Sequence, residues 1–126
     1  MQRTVLIVED ADTNASTLEI IFSALDVAVV TAENGEQAWR LLQDGELDPA
    51  AIVTDLEMRD MDGFELIERV RAHHVHKAVP IMVITGTADP DARQRVERLG
   101  ANAFFTKPYS PVLVREKLEQ WLNHAI

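Results

Sequence analysis

Five short apolar runs alternate with five segments of helical period along the whole chain, and few architectures accept that order. The runs are TVLIV at 4–8, VAVVTA at 27–32, AAIVT at 50–54, VPIMVIT at 79–85 and NAFFT at 102–106. The first is continuous and β-branched apart from Leu6, as expected of a strand buried on both faces. Between the runs lie amphipathic helices. The first carries Leu18, Ile21, Phe22 and Leu25, with Asp12 or Thr13 expected as its cap. Asn34 with Gln37 starts the second as a capping box, and Gly45 suits its end. Asp62 with Glu65 starts the third, which holds Phe64, Leu66, Ile67 and Val70. Asp89–Pro90 opens the fourth and Gly100 closes it around a thin stripe of Ala92, Val96 and Leu99. Ser110–Pro111 begins the last, with Val114, Leu118, Trp121 and Leu122 for the core. Strict strand–helix alternation implies a parallel sheet with helices on both faces.

Sheets of this class bind ligands beyond the carboxyl ends of their strands. The first run ends in Glu9–Asp10, the third in Asp55, the fourth in Thr85 and the fifth in Lys107. The second ends in Thr31–Ala32, which offers no chemistry. Two carboxylates ~4 Å apart repel by roughly 4 kcal/mol at an effective dielectric near 20, so three require more cation than Lys107 supplies. A divalent ion on oxygen ligands answers that need, and few carboxylates plus waters and a phosphate is a magnesium pattern, with manganese as a substitute. A carboxylate beside such an ion, a hydroxyl and a lysine is equipped to receive a phosphoryl group. Asp55 is the natural nucleophile, because Glu9 and Asp10 are adjacent on one strand as a metal-binding pair.

Charge and composition narrow the field further. A net charge of −9 argues against a nucleic-acid surface. The absence of cysteine removes thiolate metal sites and cysteine nucleophiles. No stretch approaches membrane-spanning length and the first residues lack a signal-peptide core, so a soluble, cytoplasmic protein is expected.

Glu9–Asp10 after VLIV, Asp55 in TDLEMRDMDG, Thr85 in VITGT and Lys107 in FTKPY together resemble the receiver domain of two-component response regulators. The resemblance runs nearly end to end. It implies that Asp55 is the phosphoacceptor, and that Mg²⁺ is held by Asp10, Asp55 and the Glu57 backbone carbonyl, with Glu9 reaching it through water. It also implies that Thr85 and Lys107 contact the phosphoryl oxygens, that Thr85 and Phe104 form the switch, and that the Lys107–Pro108 bond is cis. The donor is then a sensor histidine kinase or a histidine phosphotransfer domain. The fourth helix, fifth strand and fifth helix form the output face, for a downstream protein target or a removed output domain. The domain is expected as a monomer or a phosphorylation-dependent dimer. It is not an enzyme in the ordinary sense, but a signalling domain that assists its own phosphorylation and dephosphorylation. The expected fold is α/β, a single doubly wound five-stranded parallel sheet, (βα)5, in the flavodoxin-like order 2-1-3-4-5, with residues 1–126 as one domain.

The chain departs from the family pattern in three places. Arg59 stands where proline is usual, Asp26 where glycine often ends the first helix, and Phe104 lacks a tyrosine's hydroxyl. The Glu57 side chain is expected to tune the lifetime of the phosphorylated state. Other residues have plainer readings: Phe104 and Phe105 on opposite faces of their strand, Trp39 and Trp121 as packing, and His73, His74 and His76 in a solvated loop.

Other functions fit the residues less well. Asp10-Ala11-Asp12-Thr13 resembles the nucleophile loop of haloacid-dehalogenase-type phosphatases, with Asp10 as nucleophile. That reading lacks an acidic metal motif after the lysine and leaves Asp55 idle. A non-phosphorylated pseudo-receiver would keep the fold, yet every key site residue is present. A calcium loop fails by register, since Met58 and Arg69 would take its first and twelfth positions.

Overall fold

Continuous apolar runs become strands whose alternate side chains enter two different cores. The computed structural model describes residues 2–87 and 89–124. Its strands are β1 (Arg3–Val8), β2 (Val27–Ala32), β3 (Ala51–Thr54), β4 (Ile81–Thr85) and β5 (Ala103–Thr106). All pair in parallel, in the order β2-β1-β3-β4-β5, as the sequence predicts. The helices are α1 (Asp12–Phe22), α2 (Gly35–Gln43), α3 (Gly63–Ala72), α4 (Pro90–Leu99) and α5 (Pro111–His124).

Leu6, Val8, Ile52, Ile81 and Val83 face the layer built by α2, α3 and α4. Val5, Ile7, Val53, Met82 and Ile84 face α1 and α5. A strand covered on both sides has no polar face to show, which is why the runs do not alternate. Phe104 joins the first layer and Phe105 the second, as their spacing requires.

Local signals set most element ends. Asn34 accepts from the Gln37 N–H at 2.8 Å, while the Gln37 side chain reaches back to the Glu33 N–H, one residue before the expected partner. Asp62 caps α3 through the Glu65 N–H at 2.9 Å. Glu65 completes no box; it pairs with Arg69 one turn on. Asp89 and Pro90 start α4, and Gly100 ends it in the left-handed region at φ 112°. Pro80, which has no N–H, stands just before β4 instead of inside it.

Three local expectations fail. Neither Asp12 nor Thr13 caps α1; Ala11 occupies the cap, and the Glu9 side chain takes its N–H at 3.1 Å. Asp26 needs no left-handed turn, because among the described residues Asp60 alone, glycines aside, has positive φ. His76 is buried, not solvated. Its Nε2 lies 3.1 Å from the Leu42 carbonyl at the end of α2, and its ring stacks with His73, which meets the edge of Trp39.

Replacing Asp62 with alanine removes the α3 cap. Urea denaturation of Asp62→Ala is expected to show a loss of about 1 kcal/mol with an unchanged slope; no loss would mean that the cap contributes nothing.

Candidate functional site

Parallel register fixes which strand-end residues become neighbours. Val8 of β1 lies between Ala32 and Thr54 of the flanking strands. The ladder runs one step further, with Glu9 N–H on the Ala32 carbonyl and Asp55 N–H on the Val8 carbonyl. Glu9 and Asp55 thus sit side by side at the switch in strand order, where crevices form in such sheets. Across β4, the Lys107 N–H bonds the Thr85 carbonyl at 2.8 Å, so the lysine leaves β5 next to Thr85.

From there the Lys107 ammonium bridges two acids that are distant in sequence. It donates to Asp55 Oδ2 at 2.9 Å and to Glu9 Oε2 at 3.1 Å. Asp55 Oδ1 accepts from the N–H groups of Leu56 at 2.6 Å and Glu57 at 3.3 Å. Both Asp55 oxygens are therefore held in place before any ligand arrives. Glu9 is likewise committed, one oxygen to Ala11 and the other to Lys107. The Lys107–Pro108 bond is cis.

Burial pushes the Glu9 carboxyl above its ordinary value; the Ala11 N–H and Lys107 pull it back, and the charge of Asp55 adds to the rise. Burial alone would lower Lys107, yet the hydrogen bonds and charges of Asp55 and Glu9 outweigh it and hold the ammonium above the ordinary lysine value. Burial also pushes the Tyr109 hydroxyl up, against the charge of Lys107 and with that of Glu9.

The expected constellation is only partly drawn together. Glu9, Asp55 and Lys107 are in contact. Asp10 points to solvent, with no hydrogen bond or ion pair among the described residues. Glu57 is exposed as well. Thr85 is wholly buried, its hydroxyl accepting from the Thr87 N–H at 3.3 Å. Phe104 is half-buried on β5 under the Arg93 guanidinium, 5.9 Å from the ring centre. No group of three acids or histidines has metal-site geometry among the described residues. The predicted crowding of three carboxylates is thus relieved by turning Asp10 outward and placing Lys107 between the other two.

Two supporting residues escape a reading by residue type. A Cβ on Gly63 would collide with the Asp55 carbonyl and Leu56, so only glycine lets α3 start this close behind the acid. Its N–H closes the loop on the Leu56 carbonyl at 3.0 Å. The turn after Asp55 also passes through Asp60 at φ 68°, next to Arg59, and the Asp60 carboxylate accepts from the Asn34 side chain at 3.3 Å. Arg59 itself is exposed.

The profile described as "Response regulator receiver domain" matches residues 5–119. This chain belongs to the response regulator receiver family. Chemotaxis protein CheY1 of Helicobacter pylori is 33% identical over 115 residues, covering 90% of this chain and 92% of that protein. The crystal structure of a putative response regulator from Chloroflexus aurantiacus superposes with a TM-score of 0.88 at 32% identity, over 98% of this chain and 100% of that one. The 3',5'-cyclic-nucleotide phosphodiesterase regA of Dictyostelium discoideum is 28% identical over 94% of this chain, which spans only 15% of that protein. The chain is therefore a signalling domain of the two-component type, and it matches nearly the whole of the Helicobacter protein but a small part of the Dictyostelium one.

The raised Lys107 gives a signed expectation. The folded protein holds this proton more tightly than the unfolded chain does, so the contribution is whole below 10.5, the ordinary lysine value, and drains away as pH climbs through the folded value. The difference in unfolding free energy between wild type and Lys107→Met should narrow as pH rises above 10.5. A constant gap across that range would contradict the bridge.

Proposed function

We propose that Asp55 is the phosphoacceptor of this receiver and that Lys107 is its electrostatic partner. The observation that carries this is the Lys107–Asp55 contact of 2.9 Å, on a carboxylate whose other oxygen is fixed by two backbone N–H groups. An Asp55 oxygen attacks phosphorus of a phosphohistidine; the new P–O bond forms as the P–N bond breaks, and the imidazole leaves with its electron pair and takes a proton. Lys107 then offsets charge on the transferring oxygens, as a fixed cation in a half-buried site can. Thr85 turns its hydroxyl from the Thr87 N–H toward the same oxygens, and Phe104 follows by packing.

The residues fit a magnesium ion. Glu9, Asp10 and Asp55 carry three negative charges against the single positive charge of Lys107, and every donor is a hard oxygen. Asp10 is exposed, and no hydrogen bond among the described residues ends on the Glu57 carbonyl. Asp10, Asp55 and the Glu57 carbonyl would hold Mg²⁺, or Mn²⁺ in its place, with Glu9 behind them through water. When bound, the ion supplies further positive charge to the phosphoryl oxygens.

A sensor histidine kinase or a phosphotransfer domain is the donor, and a downstream protein or an attached output domain is the reader. A cytoplasmic location goes with that reading. The phosphatase alternative is weaker, since Lys107 engages Asp55 and Glu9, while Asp10 has no partner among the described residues. The domain assists its own phosphorylation and dephosphorylation without turning over a separate substrate.

Incubation with acetyl phosphate and Mg²⁺ should add the mass of one phosphoryl group to the intact chain. Chelation should abolish the adduct, and Lys107→Met should slow its formation by about 10²-fold or more. Equal rates for wild type and Lys107→Met would refute the partner role.

A further inference from the structure

The two ends of α4 are held by very different means. Its buried residues are Ala92 and Val96, a small apolar grip for ten residues. At the N-terminal end the attachment leads back to the site. The Thr85 hydroxyl accepts from the Thr87 N–H, and the Thr87 hydroxyl accepts from the N–H of Asp89, the cap of α4, each at 3.3 Å. Beyond the cap, the Arg95 guanidinium lies 3.9 Å from the centre of the Phe64 ring on α3, and Arg93 is 5.9 Å from that of Phe104 on β5. Such stacks on a wet surface are weak and slide readily.

The C-terminal end is fastened by one side chain. Arg71, in the last turn of α3, donates to the Gly100 carbonyl through Nε at 3.0 Å and Nη2 at 2.7 Å. Nη1 reaches the carbonyls of Val79 at 2.7 Å and Lys77 at 3.0 Å, ahead of β4. Nη2 also donates to Asn102 Oδ1 at 2.8 Å, and that oxygen accepts the Ile81 N–H at the start of β4. The Asn102 N–H returns to the Ile81 carbonyl. One guanidinium thus joins the end of α3, the approach to β4, the cap of α4 and the approach to β5. Its planar fork supplies five donors, which a lysine cannot copy. The fit is close: a Cβ on Gly100 would lie 2.8 Å from Arg71 Nε.

We infer that Arg71 is the positioning residue that pins the C-terminal end of α4, so that a change at Thr85 tilts this helix about Gly100 instead of shifting it whole. The inference rests on the reading of Asp55 as phosphoacceptor, because phosphorylation is what would recruit the Thr85 hydroxyl. Losing the bond from the Thr87 N–H loosens Thr87, whose own hydroxyl holds the Asp89 N–H, while nothing in the change touches the Arg71 cluster at the opposite end of the sheet.

Amide exchange followed by NMR on the full chain, with and without acetyl phosphate and Mg²⁺, tests this, with intact mass read on the same samples. In wild type the phosphodonor should alter exchange between Thr87 and Arg95 and leave Gly100, Ala101 and Asn102 slow. In Arg71→Lys those three amides should exchange on the order of tenfold faster in both states. The phosphodonor response should then spread to the end of α4, with the phosphorylated fraction unchanged. A merely structural arginine would quicken exchange without changing where the response falls. Should Arg71→Lys fail to fold, Asn102→Ala removes one acceptor from the cluster and should give a smaller spread of the same kind. A wild-type response extending uniformly through Asn102, or a response still confined in the variant, would overturn the inference. Absence of the mass adduct in wild type would count instead against Asp55 as phosphoacceptor.

Discussion

The Lys107 ammonium, set between the carboxylates of Glu9 and Asp55, is the contact on which the site depends. Its partners are 98 and 52 residues away along the chain, and only parallel register brings them together. Without the lysine, two buried acids would face each other at the switch in strand order, and the Glu9 carboxyl, already pushed up by burial, would lose the contact that pulls it back. With it, Asp55 is presented in a fixed orientation, one oxygen on Lys107 and the other on two backbone N–H groups. Two features on exposed residues remain for a ligand to use: the carboxylate of Asp10 and the backbone of Glu57. In the proposed reading, holding Asp55 inside and leaving Asp10 and the Glu57 backbone outside separates orientation of the phosphoacceptor from metal capture.

Much of this was legible in the residues, for physical reasons. Strands covered on both faces must be continuously apolar, so the runs were unmistakable and their alternation with helices fixed the class of sheet. Caps at Asn34, Asp62 and Asp89 followed because each satisfies an N–H that the helix leaves open. What lay hidden depended on partners distant in sequence. Glu9 read as half of a metal pair with Asp10, yet the chain turns the two in opposite directions and spends Glu9 on Ala11 and Lys107. The need for glycine at position 63 carries no sequence signal, because its closeness to the Asp55 carbonyl exists only in three dimensions. His76 looked like a loop residue because its acceptor, the Leu42 carbonyl, is on another helix.

Arg71 belongs to the same class of hidden residue. In sequence it is one of several charges on an amphipathic helix; in the fold it is the joint between the ends of α3 and α4 and the approaches to two strands. The proposed phosphoacceptor end is thus organised by Lys107, and the opposite end of the sheet by the contacts of Arg71. The lightly packed α4 runs between them. A helix with few buried contacts is a low-stability element, and such elements are the ones a local chemical change can move.

The central claim is that one carboxylate, Asp55, receives the phosphoryl group. Borohydride reduction after incubation with a phosphohistidine-bearing donor converts a phosphorylated aspartate to homoserine, and peptide sequencing by tandem mass spectrometry then locates it. Conversion at Asp55, lost in Asp55→Asn and kept at that position whatever donor is used, is the predicted result. Conversion at Asp10, or none anywhere in a correctly folded chain, would contradict it.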